Sequence, residues 1–199
     1  MAWIRIIAPG ASDGDIEALY RRLAGPGGQV DQVLQVHSLR PHTLEGHMAL
    51  YKACLHHRGN TVPEWFLEAV GVTVSRINGC AYCDQHHTVG MSRLLGGSAS
   101  DYERALASDT PGAPFTRAEQ LALAYAAKLT REPNRIEEPD VQALKNAGWS
   151  DGQILEINQA ASYFAYANRT VSGLGVNTEG ETLGLSPSAD SGGDGWRHG

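Results

Sequence analysis

The chain has 199 residues, 42% hydrophobic and 19% charged, with 16 Lys and Arg against 22 Asp and Glu for a net charge of −6. That length suffices for one domain with a buried core, and three Cys are too few, and odd in number, for a disulfide-stapled secreted scaffold. The acidic balance gives a nucleic-acid backbone nothing to grip, no apolar run is long enough to span a bilayer, and the apolar part of Met1–Gly10 is too short for a signal peptide, so the expectation is a soluble cytoplasmic domain without nucleic-acid or membrane partners.

Apolar residues recur at helical spacing almost throughout. Ile16, Leu19, Tyr20 and Leu23 predict a first helix, opening at Ser12/Asp13 and stopping at Gly25-Pro26-Gly27-Gly28. The next runs from about Thr43 to Leu55 and ends at Gly59-Asn60. Thr61 is placed to cap a third, with Pro63 in its first turn, and Trp65, Leu67, Ala69, Val70, Val72, Val74 and Ile77 make it apolar on most faces, so it should be central. After Asn78-Gly79 a helix starts at Cys80 and continues to Gly96-Gly97, and Ser98 to about Ser108 forms a shorter one before the loop at 109–114. Thr116-Arg117-Ala118-Glu119 is a capping-box pattern opening the helix of Leu121–Leu129. Asp140–Ala147 follows, and Ser150–Ser172 closes the series, opened by the capping box of Ser150 and Gln153. This predicts an all-α, single-domain helical bundle of about eight helices. Residues 1–15 read as an N-terminal extension, 16–177 as the helical domain and 178–199 as a flexible Gly/Ser/Asp-rich tail.

Chemistry concentrates between Glu68 and His87. On a helix, Cys80, Cys83 and His87 fall at i, i+3 and i+7, along one stripe. A helix N-terminus and a neighbouring imidazole both favour thiolate, and two Cys at this spacing can close a small disulfide. Dipole proximity favours Cys80 as the attacking sulfur, whereas the imidazole at i+4 favours Cys83. His86 is a rival base on an adjacent face. Glu68 interrupts an apolar run, so its carboxylate must be paired, exposed or functional. Bland readings stand beside these: Cys80 and Cys83 as inert buried thiols, and Glu68 as a plain surface carboxylate. Cys80, Cys83 and His87 or His86, with His56, His57 or Cys54, would make a structural zinc site. Cys54 alone reads as a core thiol, and His56-His57 as a solvated helix end. His37, His42 and His47 form no matching constellation.

The pattern Glu68, eleven residues, Cys80-x-x-Cys83-x-x-x-His87 resembles that of the alkylhydroperoxidase-D-like superfamily, which also contains the carboxymuconolactone decarboxylases. Further likeness, to the uncharacterised peroxidase-related branch, lies in Asn78–Cys83, Lys128–Pro133, Ala147–Asp151 and Tyr163–Arg169, and the resemblance covers roughly Ile16 to Val176. It implies an alkylhydroperoxidase-D-like helical fold and a homo-oligomer, trimeric or hexameric. It also implies roles: Cys83 as peroxide-attacking thiolate that becomes a sulfenic acid, Cys80 as proton donor and resolving thiol, and Glu68 and His87 as proton relay. The best-characterised peroxidases of the family carry a relay His between the cysteines, where this chain has Tyr82, a phenol poorly suited to shuttling protons at neutral pH. The relay is then expected to run through water or His86, or the activity to be weaker.

The reading is a cofactor-free thiol peroxidase regenerated by an external dithiol. Its alternatives are a disulfide oxidoreductase with the same dithiol and a non-catalytic zinc-binding or assembly protein. A lactone-type decarboxylase fits least, because both Cys are present.

Overall fold

The structure describes residues 2–11, 14–25, 28–108 and 110–184, and among them every regular element of the computed structural model is helical. In chain order these are α1 (Asp15–Leu23), α2 (Gln32–Gln35), α3 (Pro41–Tyr51), α4 (Glu64–Ile77), α5 (Ala81–Leu95), α6 (Ala99–Leu106), α7 (Arg117–Arg131), α8 (Glu138–Asn146) and α9 (Asp151–Gly173). Eight of them match the helices expected from periodicity. The ninth, α2, is a single turn with only Leu34 buried, too short to leave a periodic signal. The expected cap at Ser12/Asp13 lies outside the described residues.

Local sequence decides several boundaries. Thr116 and Ser150 form the expected capping boxes, each side chain accepting from the backbone N–H three residues on while Glu119 and Gln153 reach back. Thr61, expected to cap α4, does not. Its hydroxyl donates instead to Glu156 on α9, as do its N–H and that of Val62, and Pro63 occupies the N-cap position. A long-range carboxylate outcompetes the local cap there.

Helix α4 is central, as its all-round apolarity requires. Phe66 through Val72, with Val74 and Ser75, are buried, and the helix packs on α5, α7 and α9. Gly79, in the left-handed region at φ +68°, turns the chain from α4 into α5, and the Cys80 N–H donates to the Ser75 carbonyl at 2.9 Å. The two cysteines therefore begin a helix held against the core helix.

The segments flanking the bundle lie on it. The Trp3 N–H donates to the Leu174 carbonyl at 2.8 Å, and the Tyr20 hydroxyl to the Ile7 carbonyl at 2.7 Å. Residues 178–184, which sequence assigns to the flexible tail, run back over α5: Thr178 bonds Gln85 at 3.0 Å, and the Arg93 guanidinium donates to the carbonyls of Leu183 and Gly184. The rest of the expected tail, 185–199, lies outside the described residues.

Two histidine expectations need correction. His56 is not a solvated helix end: its side chain is 3% exposed, its Nδ1 lies 2.6 Å from a Glu64 oxygen, and its ring stands edge-on to Tyr51. His37 and His47 do form a constellation, their ring centroids 5.1 Å apart, with His47 also against Tyr163 and Tyr166. Burial, and His37 beside it, press the His47 imidazole down to about 3 from an ordinary 6.5. Its folded-state value being depressed, the contribution of His47 to stability is complete above 6.5 and is lost as pH falls towards 3. The unfolded chain takes up a proton that the folded chain refuses, at a cost of about 2 kcal/mol by about pH 5. Thermal melts should show the melting temperature falling over that range and a flatter acid limb in His47→Gln; identical limbs would refute the assignment.

Candidate active site

Glu68 projects from α4 into the interior, fully buried, where an unpaired carboxylate would be prohibitively costly. Its Oε2 lies 2.5 Å from His87 Nδ1, so of the three options open to Glu68 from sequence, the structure shows the paired one. His87 is one turn past Cys83 on α5, and its ring meets the Phe164 ring edge-on at 4.5 Å and 90°. That packing sets the plane of the imidazole, and Glu68 sets its rotation.

Cys80 occupies the N-cap position of α5 and Cys83 its first turn, with exposures of only 2% and 4% beneath Val36, Val171 and Val176. The sulfurs are 2.8 Å apart and share a proton. The first negative charge falls on Cys80: a hydrogen bond from Cys83 lowers its thiol from 9.0 to about 6 against the opposing effect of burial, with smaller help from Ser172 and from His87. Cys83 is pushed the other way, by its bond to Cys80 and then by burial. The resting charge is thus set chiefly by the bond between the two sulfurs. Alkylation by iodoacetamide should accelerate as pH rises through about 6 and level off above it, since the thiolate is the nucleophile. A midpoint near 9.0, the ordinary thiol value, would remove the shared proton.

The two other relay candidates sit elsewhere. Tyr82 packs beside the cysteines, but its hydroxyl accepts from the Val33 N–H at 3.3 Å, and burial together with Glu181 and Asp31 pushes its ionisation up. The His86 ring lies tilted against Tyr82, centroids 4.5 Å apart, and places Nε2 2.8 Å from Glu181 Oε2. Glu181 also accepts from the Gln32 N–H, and burial beside it raises the Asp31 carboxyl to about 6. Tyr82 and His86 therefore belong to a second buried cluster, with Asp31 and Glu181, that fastens residues 178–184 to α5.

Sequence reasoning missed several neighbours of the sulfurs. Asn168 on α9 is buried, donates from Nδ2 to Ser75 Oγ at 3.0 Å and accepts from Asn78 Nδ2 at 2.9 Å. Tyr163, one to two turns before it, has its hydroxyl 3.5 Å from His47 Nε2 and lies close enough to Cys83 and Glu68 to feel their charge. Asn168 is a polar residue on the buried stripe of α9, a signal available in the sequence. The zinc alternative finds no support in the placement of its outer ligands: His56 is bonded to Glu64 and Cys54 packs in the main core, where burial raises its thiol. Among the described residues no three His, Cys, Asp or Glu side chains come together in a way that could hold a metal ion, and no helix is long and apolar enough to cross a membrane.

No protein-family model matches the chain, and no curated protein matches its sequence. Solved structures do. An uncharacterised peroxidase-related protein from Silicibacter sp. TM1040 is 28% identical, with TM-score 0.69 over 78% of this chain and 82% of that one. The alkylhydroperoxidase AhpD core of a peroxidase-related protein from Ralstonia eutropha JMP134 superposes with TM-score 0.78 at 20% identity, covering 88% and 91%. The debrominase Bmp8, in complex with 2,3,4-tribromopyrrole, gives 0.66 at 18% identity over 83% and 86%. One fold therefore carries more than one chemistry, and the reaction has to be argued from the site.

Proposed function

We propose that this chain, an alkylhydroperoxidase-D-like protein in fold, is a thiol peroxidase that reduces a hydroperoxide through Cys83 and Cys80. The observation that carries the reading is the pair of sulfurs sharing a proton beside the buried Glu68–His87 couple. In the resting pair Cys80 is the base nearest the Cys83 thiol. Passing the Cys83 proton to Cys80 leaves a Cys83 thiolate, which attacks the outer peroxide oxygen. An S–O bond forms, the O–O bond breaks, and the departing alkoxide takes the proton from Cys80. Cys83 is now a sulfenic acid. The Cys80 thiolate displaces its hydroxide, forming the disulfide, and that hydroxide takes a proton held by His87 against Glu68. One peroxide has gained two electrons and the dithiol has lost two. An external dithiol restores both thiols by exchange, which a reducing, cytoplasmic setting would supply.

Reduced protein mixed with one equivalent of an organic hydroperoxide should consume it, lose the Cys80 and Cys83 thiols together, and leave Cys54 free, as peptide mass spectrometry reads. No loss of peroxide overturns the proposal. Oxidation by a small disulfide with no reaction towards peroxide would establish the disulfide oxidoreductase instead. The trimer or hexamer implied by resemblance belongs to the same reading, and light scattering giving a monomer mass would remove it.

A further inference from the structure

Peroxide attack and thiol exchange both require an incoming molecule to touch a sulfur, and Cys80 and Cys83 are only 2% and 4% exposed. Something over them must move. Three valines pack on the pair. Val171 belongs to α9, whose buried face runs from Ile154 through Phe164 to Val171 itself. Val36 ends the single turn of α2, its N–H on the Gln32 carbonyl at 3.0 Å, and Val176 stands where the chain leaves α9 for residues 178–184. Only those last two segments can shift without unfolding a helix of the bundle: α2 buries Leu34 alone, and from 177 to 183 no residue is buried as a whole. The two segments hold each other, since Gln32 Nε2 donates to the Glu179 carbonyl at 2.8 Å and the Gln32 N–H donates to the Glu181 carboxylate. They are fastened to α5 where the Tyr82 hydroxyl accepts from the Val33 N–H at 3.3 Å, and where Glu181 Oε2 lies 2.8 Å from His86 Nε2.

We propose that the α2 turn and residues 178–184 form one cover over the dithiol, clasped shut by Tyr82 and Glu181, which opens as a unit to admit hydroperoxide and reductant. Glu181 is the joint of the cover, because its carboxylate, on a side chain 7% exposed, meets α2 and α5 at once. Tyr82, between the cysteines in the chain and packed beside them in space, ties its hydroxyl to the α2 backbone and so acts on access to the sulfurs, in place of the proton relay. The clasps are polar and few, whereas α4, α5 and α9 are joined by continuous apolar packing, so lifting the cover costs less than unfolding the bundle. The Glu68–His87 couple lies on α4 and α5 and stays assembled while the cover is open. Closed again after attack, the cover keeps a second peroxide from the Cys83 sulfenic acid until Cys80 completes the disulfide.

The inference rests on the dithiol reacting with molecules from outside, and alkylation tests it without peroxide. Tyr82→Phe removes one clasp and keeps the ring, and Glu181→Ala removes the other. With Cys80 fully ionised, each should accelerate alkylation of the pair by iodoacetamide about fivefold or more, and the double variant should be faster than either. Cys54, packed in the main core, should stay as protected as in the parent, as peptide mass spectrometry reads. Equal acceleration at Cys54 would mean global unfolding and would overturn the cover, as would rates within about twofold of the parent. Hydrogen exchange gives a second measurement. In the parent, 31–36 and 178–184 should exchange together and ahead of α4 and α9, and Glu181→Ala should hasten exchange in both segments. Exchange as slow as that of α4, or a change confined to 178–184, overturns opening as a unit. Faster alkylation in protein that consumes no peroxide would leave the cover in place and overturn the peroxidase reading alone.

Discussion

Glu68→Gln is expected to slow disulfide closure, the step that follows attack on the hydroperoxide, by about a hundredfold, within the range that positioned acid–base groups contribute. The substitution keeps the volume and an oxygen able to accept from His87 Nδ1, so it removes the charge and little else. What the carboxylate does is hold a proton on the imidazole without solvent help, because Glu68 is fully buried while the His87 side chain is 13% exposed. A neutral amide at 2.5 Å cannot do so equally well, and the hydroxide expelled during disulfide closure loses its proton source. The accumulation of sulfenic acid should therefore change with the rate. In Glu68→Gln, Cys83 sulfenic acid should be trapped by dimedone to a greater extent than in the parent, since closure is slowed after attack. Stopped-flow fluorescence gives the rate and mass spectrometry the adduct. A rate within about threefold of the parent would show that the couple is structural, contrary to the relay drawn here.

The helices and the dithiol were legible for one reason: both are written locally. Capping boxes at Thr116 and Ser150 close within four residues, and Cys80, Cys83 and His87 share one helix, so spacing alone places them on one stripe. Glu68 was legible in a weaker sense. A single acid within an apolar run must be paired, exposed or functional, and only the structure shows that it is paired, with a partner on the next helix. What could not be read is everything brought in by packing. Glu181 reaches His86 across 95 positions, and Glu156 takes the Thr61 hydroxyl away from the expected cap across the same span. Asn168 meets the turn before Cys80 across 90 positions. His47 looked like one more imidazole on a helix until Tyr163 and Tyr166 of α9 closed over it. The preference of the resting charge for Cys80, which spacing left open, comes from neither the helix end nor the imidazole but chiefly from the hydrogen bond between the two sulfurs.

Gly71→Ala should destabilise the fold by about 3 kcal/mol or more, at the upper end for overpacking a core. Gly71 is in the middle of α4, where alanine is the better helix former, so local propensity predicts the opposite sign. Packing decides. A Cβ there would lie 2.1 Å and 2.2 Å from two carbons of the Phe164 ring, which is itself fully buried. The ring cannot remain, and it is edge-on to His87 on one side and to Tyr163 on the other. Displacing it removes the wall that sets the plane of the imidazole. Stability and site should consequently fail together: urea denaturation gives the loss in free energy, and the folded variant should close the Cys80–Cys83 disulfide more slowly after peroxide, because His87 no longer keeps its place against Glu68. The double variant Gly71→Ala with Phe164→Leu relieves the clash by shortening the second side chain. It should recover part of the stability, a coupling expected only for residues in direct contact, yet not the rate of disulfide closure, because leucine offers His87 no ring edge. Parental stability in Gly71→Ala, or additive losses in the pair, would mean that the α4–α9 contact is not what holds His87 to the cysteines.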